Sequence, residues 1–348
     1  METTKLYFLT ILLAFVLSAI LTPLVRWIAI KKKVMDEPAT AIKTHKIPTP
    51  LSGGLAFTLA FLIALLVVRH LTHFPTGTLT KLRAIMIGGV IMAALGFIDD
   101  LKKPVGLSVR TKFIFQFLSA GLLVFYGIQL NFLSPNYLSV VLSLLWVVGL
   151  ANALNIIDIM DGFSSSQAAI AAMGFLLIAL PSEDLYVNFA AAALVGSVAG
   201  FIPYNLSKRC KIFMGDSGSL FLGFVLAALA MGTRYDKASP LGVYAPLFIL
   251  AIPIYDTFFV SVLRMLRGES PFMGSKDHYA LRLERMGFTR HQIVSLSAIA
   301  AAVLSFCALV VTKLPLWWAL WVYIFVGGEF LLLSVIIAKV NMRDDHKH

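Results

Sequence analysis

Apolar residues in this chain run in long blocks separated by short polar loops. The first block, Leu6 to Ile30, ends at Lys31, Lys32 and Lys33. It is too long for the apolar core of a cleaved secretory signal and reads as a retained first helix. A span of the hydrocarbon core needs about 20 apolar residues. On that measure the pattern predicts helices near 6–28, 51–69, 83–98, 112–129, 137–153, 166–181, 187–203, 218–233, 243–263, 292–311 and 316–338. Backbone groups in lipid must be satisfied within a segment, so each span is expected to be helical. No soluble domain, low-complexity linker or strict repeat interrupts the series. The expectation is an all-α, polytopic integral membrane protein of about eleven transmembrane helices, organised as a single domain over 1–348.

Composition agrees. A soluble chain carries about 25% charged residues, whereas this one carries 14% against 59% hydrophobic in 348 residues, and its mean hydropathy is +0.87. The net charge of +11 raises nucleic acid as a partner. The basic residues sit in short loops instead of a tract, which argues for membrane topology and no nucleic acid. Eleven crossings sort the loops into two sets. One set comprises 29–50, 99–112, 154–165, 204–217, 264–291 and the C-terminal tail, and it holds 21 of the 29 Lys and Arg residues. Lys237 falls with the minority on the other side. By the positive-inside rule the rich set is cytoplasmic, the N-terminus external and the C-terminus cytoplasmic. Cys210 and Cys307 fall at different membrane depths, so no disulfide is expected.

With that orientation, Asp99, Asp100, Asp158, Asp161, Asp216 and Asp256 all fall near the inner ends of spans. Any one of them has an ordinary explanation as a helix cap or a partner for a loop lysine; six at one level point to chemistry. Asp99 and Asp100 are adjacent carboxylates that repel each other unless a cation or proton intervenes. Oxygen donors without His or Cys clusters suit Mg²⁺, with Mn²⁺ as an alternative, and not zinc. Asn152, Asn155, Asp158 and Asp161 recur every three residues, placing neighbours on one helical face. Met214-Gly-Asp216-Ser-Gly-Ser219 precedes the eighth span, where small residues permit close backbone approach and a helix N-terminus favours anions. Basic residues flank the acids: Lys102, Lys103, Arg110 and Lys112, then Lys208, Arg209 and Lys211, then Arg264 and Arg267. Carboxylates, a hard cation and ammonium groups together suit a phosphate ester.

These motifs resemble the polyprenyl-phosphate N-acetylhexosamine-1-phosphate transferases, the MraY/WecA/TagO-like glycosyltransferase family 4. The pieces are Pro48-Thr-Pro50-Leu-Ser-Gly-Gly54, Gly96-Phe-Ile-Asp-Asp100, Lys112 with Gln116, the segment Asn152 to Gly162, Phe213-Met-Gly-Asp-Ser-Gly-Ser219 and Pro253-Ile-Tyr-Asp256. The resemblance covers roughly residues 20 to 292. It implies transfer of a sugar 1-phosphate from a UDP-sugar to undecaprenyl or another polyprenyl phosphate, with release of UMP, at the cytoplasmic face of a bacterial cytoplasmic membrane. It further implies Mg²⁺ on Asp216 with Asp158 close by, Asp99 and Asp100 near the lipid phosphate, and Asp99, Asp100 and Asp158 as the catalytic set. Lys112, Asn152, Asn155, Asp161, Asp256, Arg264, Arg267 and His278 are the expected substrate-binding residues. A homodimer follows by analogy alone. Two departures stand out. Ile159 replaces a glycine of the family's Asn-x-x-Asn-x-x-Asp-Gly-x-Asp-Gly pattern. Where many members carry a His-x-His-His run before Arg-Leu, this chain has His278-Tyr-Ala280-Leu281 before Arg282-Leu283, so the nucleotide-sugar donor is the least determined feature. The competing classes are a secondary transporter, whose acids generally lie nearer the bilayer midplane, and an inactive membrane scaffold.

Overall fold

The structure is a computed structural model describing residues 3–37, 47–72, 74–181, 184–235, 238–270 and 275–342. Lys237 and the tail from 343 onward lie outside the described residues. The chain divides into two compact units, Met1–Arg234 and Tyr235–His348.

Every apolar block is helical. The first unit holds α1 (Thr3–Lys31), α2 (Gly54–Leu71), α3 (Thr76–Leu101), α4 (Val109–Phe125), α5 (Asn136–Ile156), α6 (Phe163–Ala179), α7 (Leu185–Asn205) and α8 (Gly215–Gly232). A two-stranded antiparallel pair, β1 (Met35–Asp36) with β2 (Thr49–Pro50), joins α1 to α2. The second unit holds a 3₁₀ turn (Pro240–Tyr244), α9 (Ala245–Ile249), α10 (Ala251–Leu266), α11 (Tyr279–Arg285), α12 (Arg290–Val311) and α13 (Leu316–Ala338). Among the described residues eight helices are long and apolar enough to cross a membrane, or nine if one bent pair counts as a single span. The helices α4 and α6 have only 17 residues each, about 25 Å at 1.5 Å per residue.

The bent pair is the expected ninth span, 243–263. The chain turns by 74° between Pro240–Ile249 and Ala251–Leu266. Pro253 explains the break: it has no N–H to donate to the carbonyl of Ile249, and its ring collides with that carbonyl in a continuous helix. The start of α3 differs too. It begins at Thr76 instead of near 83, because Lys81 and Arg83 end the apolar run without ending the helix.

In the first unit α7 and α8 are the most enclosed helices. The run Ala190 to Ala193 in α7 is fully buried, and α1 lies against α7 so closely that a Cβ on Gly196 would strike the carbonyl of Ile11. Such small-residue contacts let helices approach without a hydrophobic drive from water. α8 packs against α3 and α5. The end of α3 meets the start of α8, the end of α5 meets α8, and the start of α6 meets the end of α7. The loops rich in basic residues in this unit therefore gather at one end of the bundle. At the other end Arg234 pairs with Asp184 at 3.0 Å.

Candidate active site

Three carboxylates and two ammonium groups converge where α3 ends, α4 begins and α8 begins. Asp99 and Asp100 are both buried, with 3% exposure each. Lys103 Nζ bridges Asp100 Oδ1 at 2.8 Å and Asp216 Oδ1 at 3.1 Å. Lys112 Nζ bridges Asp99 Oδ2 at 2.7 Å and Asp216 Oδ2 at 3.3 Å. Asp99 also accepts the backbone N–H of Leu107. The mutual repulsion of the paired aspartates is thus met by lysines. Burial alone would lower the Lys103 ammonium, but Asp216 and Asp100 outweigh it and hold its pKa above the ordinary lysine range.

Close backbone approach brings these groups together. A Cβ on Gly96 would overlap the backbone of Asp216, and a Cβ on Gly54 would overlap Gly218. The segment before α8 is held in turn by the one before α2: Gly53 N–H donates to Phe213 O, Gly54 N–H to Met214 O and Phe213 N–H to Pro50 O, each at 2.8 Å. The Pro48 to Gly54 motif therefore works as a scaffold for Asp216.

The N-terminus of α8, expected to favour a bound anion, already has one. Asp100 Oδ1 accepts from Asp216 N–H at 3.1 Å and Oδ2 from Ser217 N–H at 3.3 Å. Gly215, at φ +71°, leaves the space that this carboxylate fills. Asp100 is a capping anion supplied from another helix, satisfying backbone donors that would otherwise be orphaned.

At the end of α5, Asn155 Nδ2 donates to Ser219 Oγ on α8 at 2.8 Å. Asn152 and Gln116 of α4 exchange amide hydrogen bonds at 2.9 and 3.3 Å. Asp158 is half-buried in the turn after α5; the protein packed around it and the negative charge of Asp216 push its carboxyl up to about 8. Asp161 points elsewhere, to Lys211 Nζ at 2.6 Å. Asn205 was not singled out from sequence. Its side chain accepts from Gly162 N–H at 2.6 Å and donates to Ile212 O at 3.0 Å, tying the loop after α5 to the one before α8.

The other residues expected from sequence to bind substrate lie in the second unit. Asp256 of α10 accepts from Tyr279 N–H at 2.9 Å and lies 2.6 Å from His278 Nδ1. Arg264 donates to Ser270 O at 2.6 Å, and Arg267 reaches both oxygens of Asp277 at 3.0 Å. Arg282 is fully buried, bonded to Asp277 Oδ1 at 2.6 Å and to the carbonyl of Val340 at 2.7 Å. Burial raises the Asp277 carboxyl, but Ser275, Arg267 and Arg282 outweigh it and hold it below the ordinary aspartate range. Arg282 belongs to the Arg-Leu pair of the sequence motif; its burial against Asp277 carries no periodic signal in the chain.

The donor chemistry fits a hard divalent cation, since Asp216 and its neighbours offer carboxylate oxygens alone. Among the described residues no three His, Cys, Asp or Glu side chains form a ready-made metal cage; ammonium groups stand between the carboxylates instead. Both cysteines are free.

A many-helix membrane bundle with a buried carboxylate and lysine cluster at one end defines the class. Residues 82–234 match the family described as Glycosyl transferase family 4, a stretch that contains Asp99, Asp100, Lys112, Asn152, Asn155, Asp158, Asp161 and Asp216. The chain is 30% identical over 344 residues to a probable undecaprenyl-phosphate N-acetylglucosaminyl 1-phosphate transferase of Bacillus subtilis, covering 95% of this chain and 92% of that one. It is 31% identical over 299 residues to a decaprenyl-phosphate N-acetylglucosaminephosphotransferase of Mycobacterium leprae, covering 76% and 73%. It is 26% identical over 357 residues to an undecaprenyl-phosphate alpha-N-acetylglucosaminyl 1-phosphate transferase of Yersinia pestis, covering 97% and 92%. The chain belongs to glycosyl transferase family 4.

Proposed function

We infer that this protein transfers N-acetylglucosamine 1-phosphate, or a related N-acetylhexosamine 1-phosphate, from a UDP-sugar to undecaprenyl phosphate. UMP leaves, and a lipid-linked cell-envelope glycan is begun. The carrying observation is the convergence of Asp99, Asp100 and Asp216 with Lys103 and Lys112, in a chain whose relatives bear the names given above. In this reading the chain is one polytopic domain of eleven crossings, N-terminus outside, with its site at the cytoplasmic face of the bacterial inner membrane.

An oxygen of the lipid phosphate attacks the β-phosphorus of the UDP-sugar. The bond from that phosphorus to the bridging oxygen breaks, and the electron pair departs with UMP. A phosphomonoester is mostly dianionic at neutral pH, its second pKa being about 6, so no strong base is needed. Asp99 orients the acceptor through Lys112, and the two lysines supply positive charge to the phosphates. Asp216, with Asp158 beside it, would hold Mg²⁺, which neutralises diphosphate charge when bound. Asn152 and Asn155 fix the end of α5 against α4 and α8.

The test is UMP release from a panel of UDP-N-acetylhexosamines by purified protein with undecaprenyl phosphate and Mg²⁺. Release is expected only with lipid and metal present, and Asp216→Asn should lower it by at least about 10²-fold, the scale of losing one preorganised electrostatic group. No release from any donor, alongside an active relative, would sink the reading.

A further inference from the structure

Both oxygens of Asp216 are already engaged by ammonium groups: Oδ1 by Lys103 at 3.1 Å and Oδ2 by Lys112 at 3.3 Å. A divalent cation approaching this carboxylate must therefore displace a lysine or sit beside two of them. We propose that Lys103 is the resident counter-cation of Asp216, that a divalent cation and Lys103 compete for that carboxylate, and that metal binding frees the Lys103 ammonium to position a substrate phosphate. This rests on the metal-dependent reading above and adds a positioning residue to it.

Like charge favours exchange over addition. A divalent cation at contact distance from Asp216 meets the ammonium group held by each of its oxygens, and that repulsion is relieved when one of the two moves aside. Hydrogen bonding decides which lysine moves. If Lys103 leaves, Asp100 still accepts the N–H groups of Asp216 and Ser217 at the start of α8. If Lys112 leaves, buried Asp99 loses the ammonium it pairs with and keeps the Leu107 N–H. The release of Lys103 strands less charge. Its side chain retains 29% exposure and extends from the turn after α3, so a flexible four-carbon stem can carry the ammonium aside.

The experiment is a Mn²⁺ titration followed by electron paramagnetic resonance, on the full-length protein in detergent, with no substrate. Lys103→Met is expected to bind Mn²⁺ at least about tenfold tighter than wild type, the scale of removing one like charge at contact distance. Lys103→Arg keeps the competitor and should stay near wild type. Lys102→Met removes the same formal charge from the neighbouring exposed position and should change affinity by less than about threefold, since exposed charges are screened. Unchanged or weaker binding by Lys103→Met overturns the proposal, as does an equal gain in Lys102→Met or a wild type that binds no Mn²⁺. A second measurement spares the fold: acylation of lysines in the wild type, read by mass spectrometry, should rise at Lys103 relative to Lys102 when Mn²⁺ is added, and a ratio that stays flat overturns it. UMP release with unchanged Lys103→Met affinity would remove the exchange and leave the transferase. Tighter Mn²⁺ binding by Lys103→Met without UMP release from any donor would do the reverse.

Discussion

Asp158 shows how much stability this site gives up at a single residue. Its carboxyl is pushed from the aspartate value of 3.8 to about 8, first by the protein around it and then by Asp216. The folded chain therefore holds this proton more tightly than the unfolded chain does. Stability falls as pH rises from near 3.8 toward about 8 and stays lowered above that, because the unfolded state releases the proton first. Asp158→Asn removes the penalty. In metal-free protein it should raise the melting temperature, by more at pH 8.5 than at pH 5, as read by thermal unfolding in detergent. Equal melting curves for variant and wild type at both pH values would mean that Asp158 titrates as an ordinary aspartate. Asp100 illustrates a different use of the same residue type: its charge caps α8 and holds Lys103. The adjacency of Asp99 and Asp100 was plain in the sequence. Their division of labour depends on which helix end each one meets, and adjacency in the chain carries no information about that.

Among the elements, α11 and α13 depend on one buried arginine. Arg282 joins Asp277, in the segment before α11, to the carbonyls of Ile337 and Ala338 at the end of α13 and of Val340 just beyond it. It satisfies acceptors that a helix end leaves open, and a cation there also opposes the negative end of the helix dipole. Arg282→Met leaves a buried carboxylate with less compensation and should cost about 3–5 kcal/mol, the range for breaking a buried ion pair from one side. The loss should appear as a lowered unfolding midpoint. The double variant with Asp277→Asn should lose less than the two single losses summed, because the residues share one network. The apolar blocks announced these helices; the 74° break before α10 was legible only in Pro253. The short helix α11 gave no advance signal, since seven residues of mixed polarity hold no period long enough to read.

At the scale of the whole molecule, membrane orientation is the property most open to a direct check. Cys210 is exposed in the loop before α8, and Cys307 lies partly covered within α12. With Cys307→Ser as background, a membrane-impermeant maleimide should leave Cys210 unlabelled in intact cells and label it after permeabilisation. Labelling in intact cells would reverse the assigned orientation. The gathering of the basic loops of the first unit at one end of its bundle already matches the two loop sets read from Lys and Arg positions.

The sequence by itself determined the class of architecture, because twenty apolar residues in a row have one stable form in lipid and loop charge biases its direction. It also determined the family, through ordered motifs that survive as residues regardless of where they meet. Only the tertiary structure decided what those motifs do for one another. Gly54 and Gly96 serve backbone contact with α8, Asp100 is its capping anion, and Asp161 turns away to Lys211. Lys103 was one loop lysine among several until folding set it between Asp100 and Asp216. The physical reason is distance along the chain: residues 113 positions apart share a hydrogen bond here, and hydrophobic periodicity records only which face of a helix is covered, not which neighbour covers it.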